Sequence, residues 1–235
     1  MNIAGLQKMT LLDFPGRVAC TVFLGGCNFR CPFCHNSELL DGKCQPAMDE
    51  EKLLEFLQKR KGILEGVCIT GGEPTLQPGL ENLLRRIKEL GYPVKLDTNG
   101  YRPEILEKLV NAGLVDYVAM DIKNGPDGYG EAAGLAKIDI SRIEQSIRFL
   151  TGGAVDYEFR TTVVDELHSE ASITQMGNWL LNVAGKQVKR LFLQSFVDRD
   201  TVMFAGFHAP NEAKMQRFVE ILAPCAEIVK IRGKD

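Results

Sequence analysis

Apolar positions in this chain follow two rhythms, which alternate from about residue 17 to the end. Residues 17–24 are apolar and β-branched and predict a strand. Residues 49–61 carry Leu53, Leu54 and Leu57 at helical spacing. A short buried strand over 67–70 runs into Gly71-Gly72, and a helix over 79–90 places Leu80, Leu83, Leu84 and Ile87 on one stripe. After a strand at 94–96, Pro103 opens a helix that carries Ile105, Leu106 and Leu109 and stops at Gly113. Strands follow at 115–120, 157–164 and 188–193, with helices over 138–150, 173–183 and 211–222 and a last strand at 227–231. The stretch 123–137 is glycine-rich and unperiodic, and reads as a surface loop.

Six strands, each followed by a helix, predict an α/β fold with a parallel sheet. Right-handed crossovers curl such a sheet into a partial (β/α)6 TIM-like barrel of mostly parallel strands. The polar clusters each fall just after a strand: 27–36, 71–74, 97–100, 121–123 and Gln194. In α/β barrels that is the end where active sites are built.

The chain has 235 residues, which suits one domain over 1–235. Hydrophobic residues make up 45% and charged residues 25%, an ordinary globular balance. A net charge of −3, from 28 basic and 31 acidic residues, offers no electrostatic reason to expect nucleic acid or an anionic membrane as partner. No apolar run reaches the roughly 18 residues of a membrane span, and the first ten residues do not read as a signal peptide. The expectation is a cytoplasmic protein, in which seven cysteines serve as metal ligands or buried thiols rather than disulfides.

Three of those cysteines lie in Gly-Gly-Cys27-Asn-Phe-Arg-Cys31-Pro-Phe-Cys34-His-Asn. Thiolates at this spacing can hold three irons of a four-iron cluster and leave the fourth open to a substrate. Three other readings compete. A structural zinc site would use His35 as fourth ligand, although Cys34 and His35 are adjacent and poorly placed for one tetrahedral ion. Cys31-Pro-Phe-Cys34-His35 also matches a haem-attachment pattern. A closed ferredoxin-type cluster would need Cys44, since Cys20, Cys68 and Cys225 read as buried strand or core thiols.

Gly71-Gly72-Glu73-Pro74 offers two glycines for close approach of a ligand to the backbone and a carboxylate for a ligand ammonium, or else a plain turn with a solvated Glu. Asp97-Thr98-Asn99-Gly100 reads as a site or as a turn with a helix cap. Asp121-Ile122-Lys123 is either solvated or set to bind, the two acids a cation and the lysine an anion. Arg160 lies in an apolar strand and needs a partner, either a ligand carboxylate or a neighbour such as Glu158 or Asp165. His168 and His208 read as surface residues and Trp179 as core.

Together these residues resemble a known family. Cys27-x-x-x-Cys31-x-Phe33-Cys34, with an aromatic residue before the last cysteine, looks like the defining loop of the radical S-adenosylmethionine enzymes. Gly71-Gly72-Glu73-Pro74 resembles the methionine-amino motif of that superfamily. The stretch 12–16, the Cys-His-Asn ending of the loop, Asp97-Thr98-Asn99-Gly100 and Asp121-Ile122-Lys123 narrow the likeness to the glycyl-radical-enzyme activating enzymes.

The resemblance implies a [4Fe-4S] cluster on Cys27, Cys31 and Cys34, with S-adenosylmethionine on the fourth iron. It implies that Gly71, Gly72 and Glu73 hold the methionine amino end, and that Phe33, His35 and Asn36 line the adenine. Asp97 and Asp121, with Thr98, are implied to surround a monovalent cation beside the carboxylate, with Asn99 at the cofactor and Lys123 and Arg160 on the carboxylate or ribose. Gln194 stands where related activases carry a ribose-contacting His.

The implied reaction is reductive cleavage of S-adenosylmethionine to a 5′-deoxyadenosyl radical, which takes hydrogen from a backbone glycine of a partner glycyl-radical enzyme. The expected partner is anaerobic ribonucleoside-triphosphate reductase, and the electron comes from a flavodoxin or ferredoxin. The alternatives are activation of pyruvate formate-lyase or another glycyl-radical enzyme, or radical chemistry on a small molecule.

Overall fold

A computed structural model describes residues 1, 3–41 and 44–233. Contacts divide the chain into two compact units: Met1–Asn28 with Glu38–Ala119 and Ala154–Asp156, and Phe29–Ser37 with Met120–Gly153 and Tyr157–Asp235.

The first unit opens with a strand that sequence periodicity does not reveal, β1 (Ile3–Thr10), antiparallel to β2 (Ala19–Leu24). Its residues are mostly half-buried or exposed, and its pairing slips between Ile3 and Gly5 and between Gln7 and Thr10, so no alternation survives in the sequence. β2 then pairs in parallel with β3 (Gly66–Gly71), and β3 with β4 (Val94–Thr98). The helices α1 (Glu50–Lys59), α2 (Leu80–Glu89) and α3 (Pro103–Asn111) form where apolar stripes and start signals agree. Asp49 caps α1 by accepting from Lys52 N at 2.8 Å. Leu53 and Leu57 are fully buried, each worth roughly 1.5–3 kcal/mol of burial.

β5 (Tyr117–Asp121) starts in the first unit, where Asp116 N donates to Val94 O at 2.8 Å. It ends in the second, where Ile122 N donates to Arg160 O at 2.8 Å. There β6 (Asp156–Val163), β7 (Val188–Ser195) and β8 (Ala226–Arg232) pair in parallel, with Arg160, Phe192 and Lys230 level across the three strands. The helices of this unit are α4 (Pro126–Ala133), α5 (Ile140–Thr151), α6 (Glu170–Ala184) and α7 (Glu212–Leu222). The α/β class with mostly parallel strands stands as expected. The described residues form eight strands, the six followed by helices and the last one expected from the sequence, with β1 added.

The stretch 123–137 is not a surface loop, because it contains α4. Its glycines serve close packing rather than flexibility. A Cβ at Gly125 would fall 2.6 Å from Gln175 Oε1, and one at Gly128 would fall 2.6 Å from Asn124 Nδ2. Tyr129, Ala132 and Ala133 on this helix are fully buried. His168 is also buried rather than at the surface, since backbone atoms satisfy both its ring nitrogens. Nδ1 accepts from Val164 N at 3.0 Å, and Nε2 faces Lys123 O at 2.9 Å. His208 is exposed and pairs with Glu166, and Trp179 is core, as expected. No helix among the described residues is long and apolar enough to cross a membrane.

Candidate functional site

In the first unit the cysteine loop leaves β2 and returns beside itself. Gly26 N donates to Leu39 O at 2.6 Å, and Cys27 N donates to Leu40 O at 3.1 Å. On the side where a side chain would stand, the Gly71-Gly72 pair lies against the chain's own backbone. Gly71 has φ 123°, and a Cβ there would fall 2.2 Å from Leu24 O. A Cβ at Gly72 would fall 2.1 Å from Gly26 O and 3.3 Å from Cys27 Cβ. The two glycines therefore seat the start of the cysteine loop, and Glu73 N donating to Gly26 O at 2.8 Å holds it there.

Glu73 is fully buried, not exposed as expected of a residue at a strand's open end. Oε1 accepts from Thr75 N at 3.1 Å, Thr75 Oγ1 at 2.5 Å and Thr98 Oγ1 at 2.7 Å, while Oε2 accepts from Asn99 N at 2.7 Å. Burial pushes its carboxyl pKa up, against the pull of these donors. The brace extends into the cysteine loop, where Asn99 Nδ2 donates to Asn28 Oδ1 at 2.8 Å. Asn99 Oδ1 also closes a turn by accepting from Tyr101 N at 3.0 Å.

Asp97 pairs with Lys95, two residues before it on the same face of β4. Lys95 is buried, with its Nζ 3.8 Å from Cys68 Sγ. Sequence reasoning passed over Lys95, although its period-2 relation to Asp97 is a signal that could have found it.

In the second unit Cys34 N donates to Cys31 O at 3.1 Å, so these two thiols sit on one tight turn, with Phe33 buried between them. Burial pushes the Cys31 thiol up to about 11, with the Lys123 charge acting against it. Burial also raises Cys34, opposed by the backbone N–H of Asn36. His35 stacks on Phe196 with ring centres 5.5 Å apart, and its Nε2 lies 2.6 Å from Val197 O. Ser37 Oγ donates to Thr201 O.

Asp121 sits between two cations. Lys123 Nζ is 2.9 Å from Oδ2, and Arg160 Nε is 3.0 Å and Nη2 2.9 Å from Oδ1. Burial raises the Asp121 carboxyl, but the two charges and their hydrogen bonds outweigh it and hold the group at about 2. Asp121 is thus a partner of Arg160. Glu158 is taken by Arg232 at 2.5 and 2.7 Å, and Asp165 by Lys214 at 2.7 Å. Asp97 carries Lys95 within the first unit, where Thr98 Oγ1 donates to Glu73, and Asp121 carries Lys123 and Arg160 within the second. Gln194 lies level with Thr162 and Arg232 across β6, β7 and β8.

All seven cysteines are free thiols. Among the described residues no three His, Cys, Asp or Glu side chains converge as ligands of a single ion. A cluster differs in this respect, because each thiolate holds its own iron and the sulfurs need not meet at a point. The donor chemistry suits such a group. Soft thiols stand in the loop, with the Lys123 charge acting on Cys31. The buried Asn28 Nδ2, next to Cys27 in sequence, has no hydrogen-bond partner among the described residues, and cluster sulfurs accept such bonds.

Residues 21–168 match the family profile of the radical SAM superfamily, and the chain belongs to that superfamily. A candidate glycyl-radical enzyme activating enzyme of Methanocaldococcus jannaschii is 30% identical over 98% of this chain and 95% of its own length. The pyruvate formate-lyase-activating enzyme of Clostridium pasteurianum is 30% identical over 77% of each chain. Streptococcus suis SuiB, solved with its precursor peptide SuiA, shares the fold with a TM-score of 0.68 at 16% identity, over 91% of this chain and 48% of its own. Within the superfamily the chain is of the glycyl-radical-enzyme activating kind. It is accordingly an oxidoreductase that binds a [4Fe-4S] cluster through three cysteines together with S-adenosylmethionine.

Proposed function

We propose that Cys27, Cys31 and Cys34 hold the cluster and that the chain, acting as one domain in the cytoplasm, activates anaerobic ribonucleoside-triphosphate reductase with an electron from a flavodoxin or ferredoxin. When bound, the cluster and S-adenosylmethionine supply the one-electron chemistry that removes a hydrogen atom from the partner's backbone glycine.

The chain's own residues bind and orient. Glu73 keeps one lone pair of Oε2 beyond the Asn99 bond, and with the Gly71 and Gly72 backbone it takes the methionine amino end. Lys123 and Arg160, already gathered on Asp121, take the carboxylate or ribose. Phe33, His35 and Asn36 border the adenine, with His35 fixed by its stack on Phe196. Asp97, Thr98 and Asn99 border the cofactor, with Asp97 held on Lys95 and Thr98 and Asn99 held on Glu73, and Gln194 faces the ribose. Phe33 and Cys31 are both buried, which limits water at that thiol.

The observation that carries this reading is the turn of Cys31 and Cys34 in the same unit as the Lys123–Asp121–Arg160 network, with the Lys123 charge acting on Cys31. The choice of partner rests on the combined likeness of the 12–16 stretch, the Cys-His-Asn ending and the two Asp motifs. The test is electron paramagnetic resonance of reconstituted protein with S-adenosylmethionine, reductant and each candidate partner. A glycyl doublet on the ribonucleotide reductase is expected. A doublet only on pyruvate formate-lyase redirects the partner, and small-molecule turnover with no doublet overturns the reading.

A further inference from the structure

The segment that reads as a surface loop is the element against which the cysteine loop rests in the second unit. α4 ends at Gly134, whose φ of 66° is left-handed. Next to it, Ala133 O accepts from Arg30 N at 2.9 Å. A Cβ at Gly134 would fall 1.9 Å from Arg30 O and 2.4 Å from Arg30 C. The Arg30 peptide therefore lies against the helix end, held by a hydrogen bond and admitted only because position 134 has no side chain. Cys31 follows directly.

α4 is itself keyed in place. Tyr129 is wholly buried and stands edge-on to Trp179 of α6, with ring centres 6.0 Å apart. The packing at Gly125 brings the start of α4 against Gln175 and Met176 of the same helix. A rigid line thus runs from α6 through α4 to the residue before the middle cysteine.

We propose that Gly134 is a positioning residue for Cys31, fixing where that thiol stands relative to its turn. Its bearing on the cluster rests on Cys31 being a ligand, as proposed above.

The test compares Gly134→Ala with Gly185→Ala. Gly185 ends α6 at φ 67°, and a Cβ added there would meet nothing within 4 Å, so it carries the left-handed strain without the collision. In metal-free protein, amide exchange at Arg30 and the alkylation rate of Cys31 relative to Cys34 are measured. In reconstituted protein, the resonance spectrum of the reduced cluster is recorded with and without S-adenosylmethionine.

The wild-type Arg30 amide is expected to be protected at least about tenfold over an open loop. Gly134→Ala is expected to lose that protection, alter the Cys31 to Cys34 ratio severalfold and change the response of the spectrum to S-adenosylmethionine. Gly185→Ala is expected to match the wild type in all three. An unprotected Arg30 amide, or two variants that behave alike, overturns the proposal. If Gly134→Ala does not fold, the wild-type amide decides alone. If Cys31 proves not to hold the cluster, the proposed function fails, while the metal-free measurements still decide the role of Gly134.

Discussion

The backbone N–H of Asn99 points at Oε2 of Glu73 from 2.7 Å, joining segments 26 positions apart. With Thr98 and Thr75 on the other oxygen, this bond makes Glu73 a fastening between two loops before it is anything else.

Glu73→Ala should therefore weaken folding as well as cofactor binding. It strands the buried N–H groups of Thr75 and Asn99 and should cost about 2–4 kcal/mol in denaturant unfolding. Glu73→Gln keeps acceptor oxygen at the site and should cost less. Equal stability of wild type and Glu73→Ala would show that the fastening is not needed.

Replacing any one of Cys27, Cys31 or Cys34 by Ala should abolish the cluster, read as iron content and visible absorption after anaerobic reconstitution. Cys44→Ala should leave both unchanged. A cluster lost with Cys44 would point to four thiolate ligands and sink the open-site reading.

His168 should make stability depend on pH. Its Nδ1 accepts from Val164 N, and burial lowers its pKa below the ordinary value of about 6.5. The unfolded chain then binds the proton more readily than the folded one. The contribution is complete above about pH 6.5 and is lost as pH falls through the lower folded value. Melting temperature should decline over that window, and His168→Gln should flatten the decline. An identical slope in the variant would remove His168 as its source.

Asp121→Asn leaves Lys123 and Arg160 without their shared counter-charge. The three side chains keep partial solvent contact, so the cost should be modest, about 1–3 kcal/mol at neutral pH. Because the carboxyl is held at about 2, its contribution should persist down to about pH 4 and be lost progressively as pH falls from there through about 2. Unfolding curves across that range check both statements, and no difference from wild type at neutral pH would contradict them.

Much of the fold is legible where local signals agree. Asp49 followed by Leu53, Leu54 and Leu57 announces α1, and the cysteine spacing points to the chemistry. What stays hidden depends on contacts between distant segments. The glycines of α4 look like loop composition because the crowding that demands them comes from Asn124, Gln175 and Arg30 in three dimensions. Glu73 looks solvated because its donors at Thr98 and Asn99 lie far along the chain. His168 shows no pattern because its partners are backbone atoms, which any sequence possesses. β1 hides because a slipped strand with few buried residues keeps no alternation.

The paired amides of Gly26 and Cys27 on the carbonyls of Leu39 and Leu40 have a bearing on how the protein survives air. They tie both feet of the cysteine loop together through folding alone, so the entropy of closing it is lost before any iron arrives. A chain stripped of metal by oxygen should keep an arch ready for refilling, and reloading should run at the pace of iron and sulfide delivery rather than of refolding.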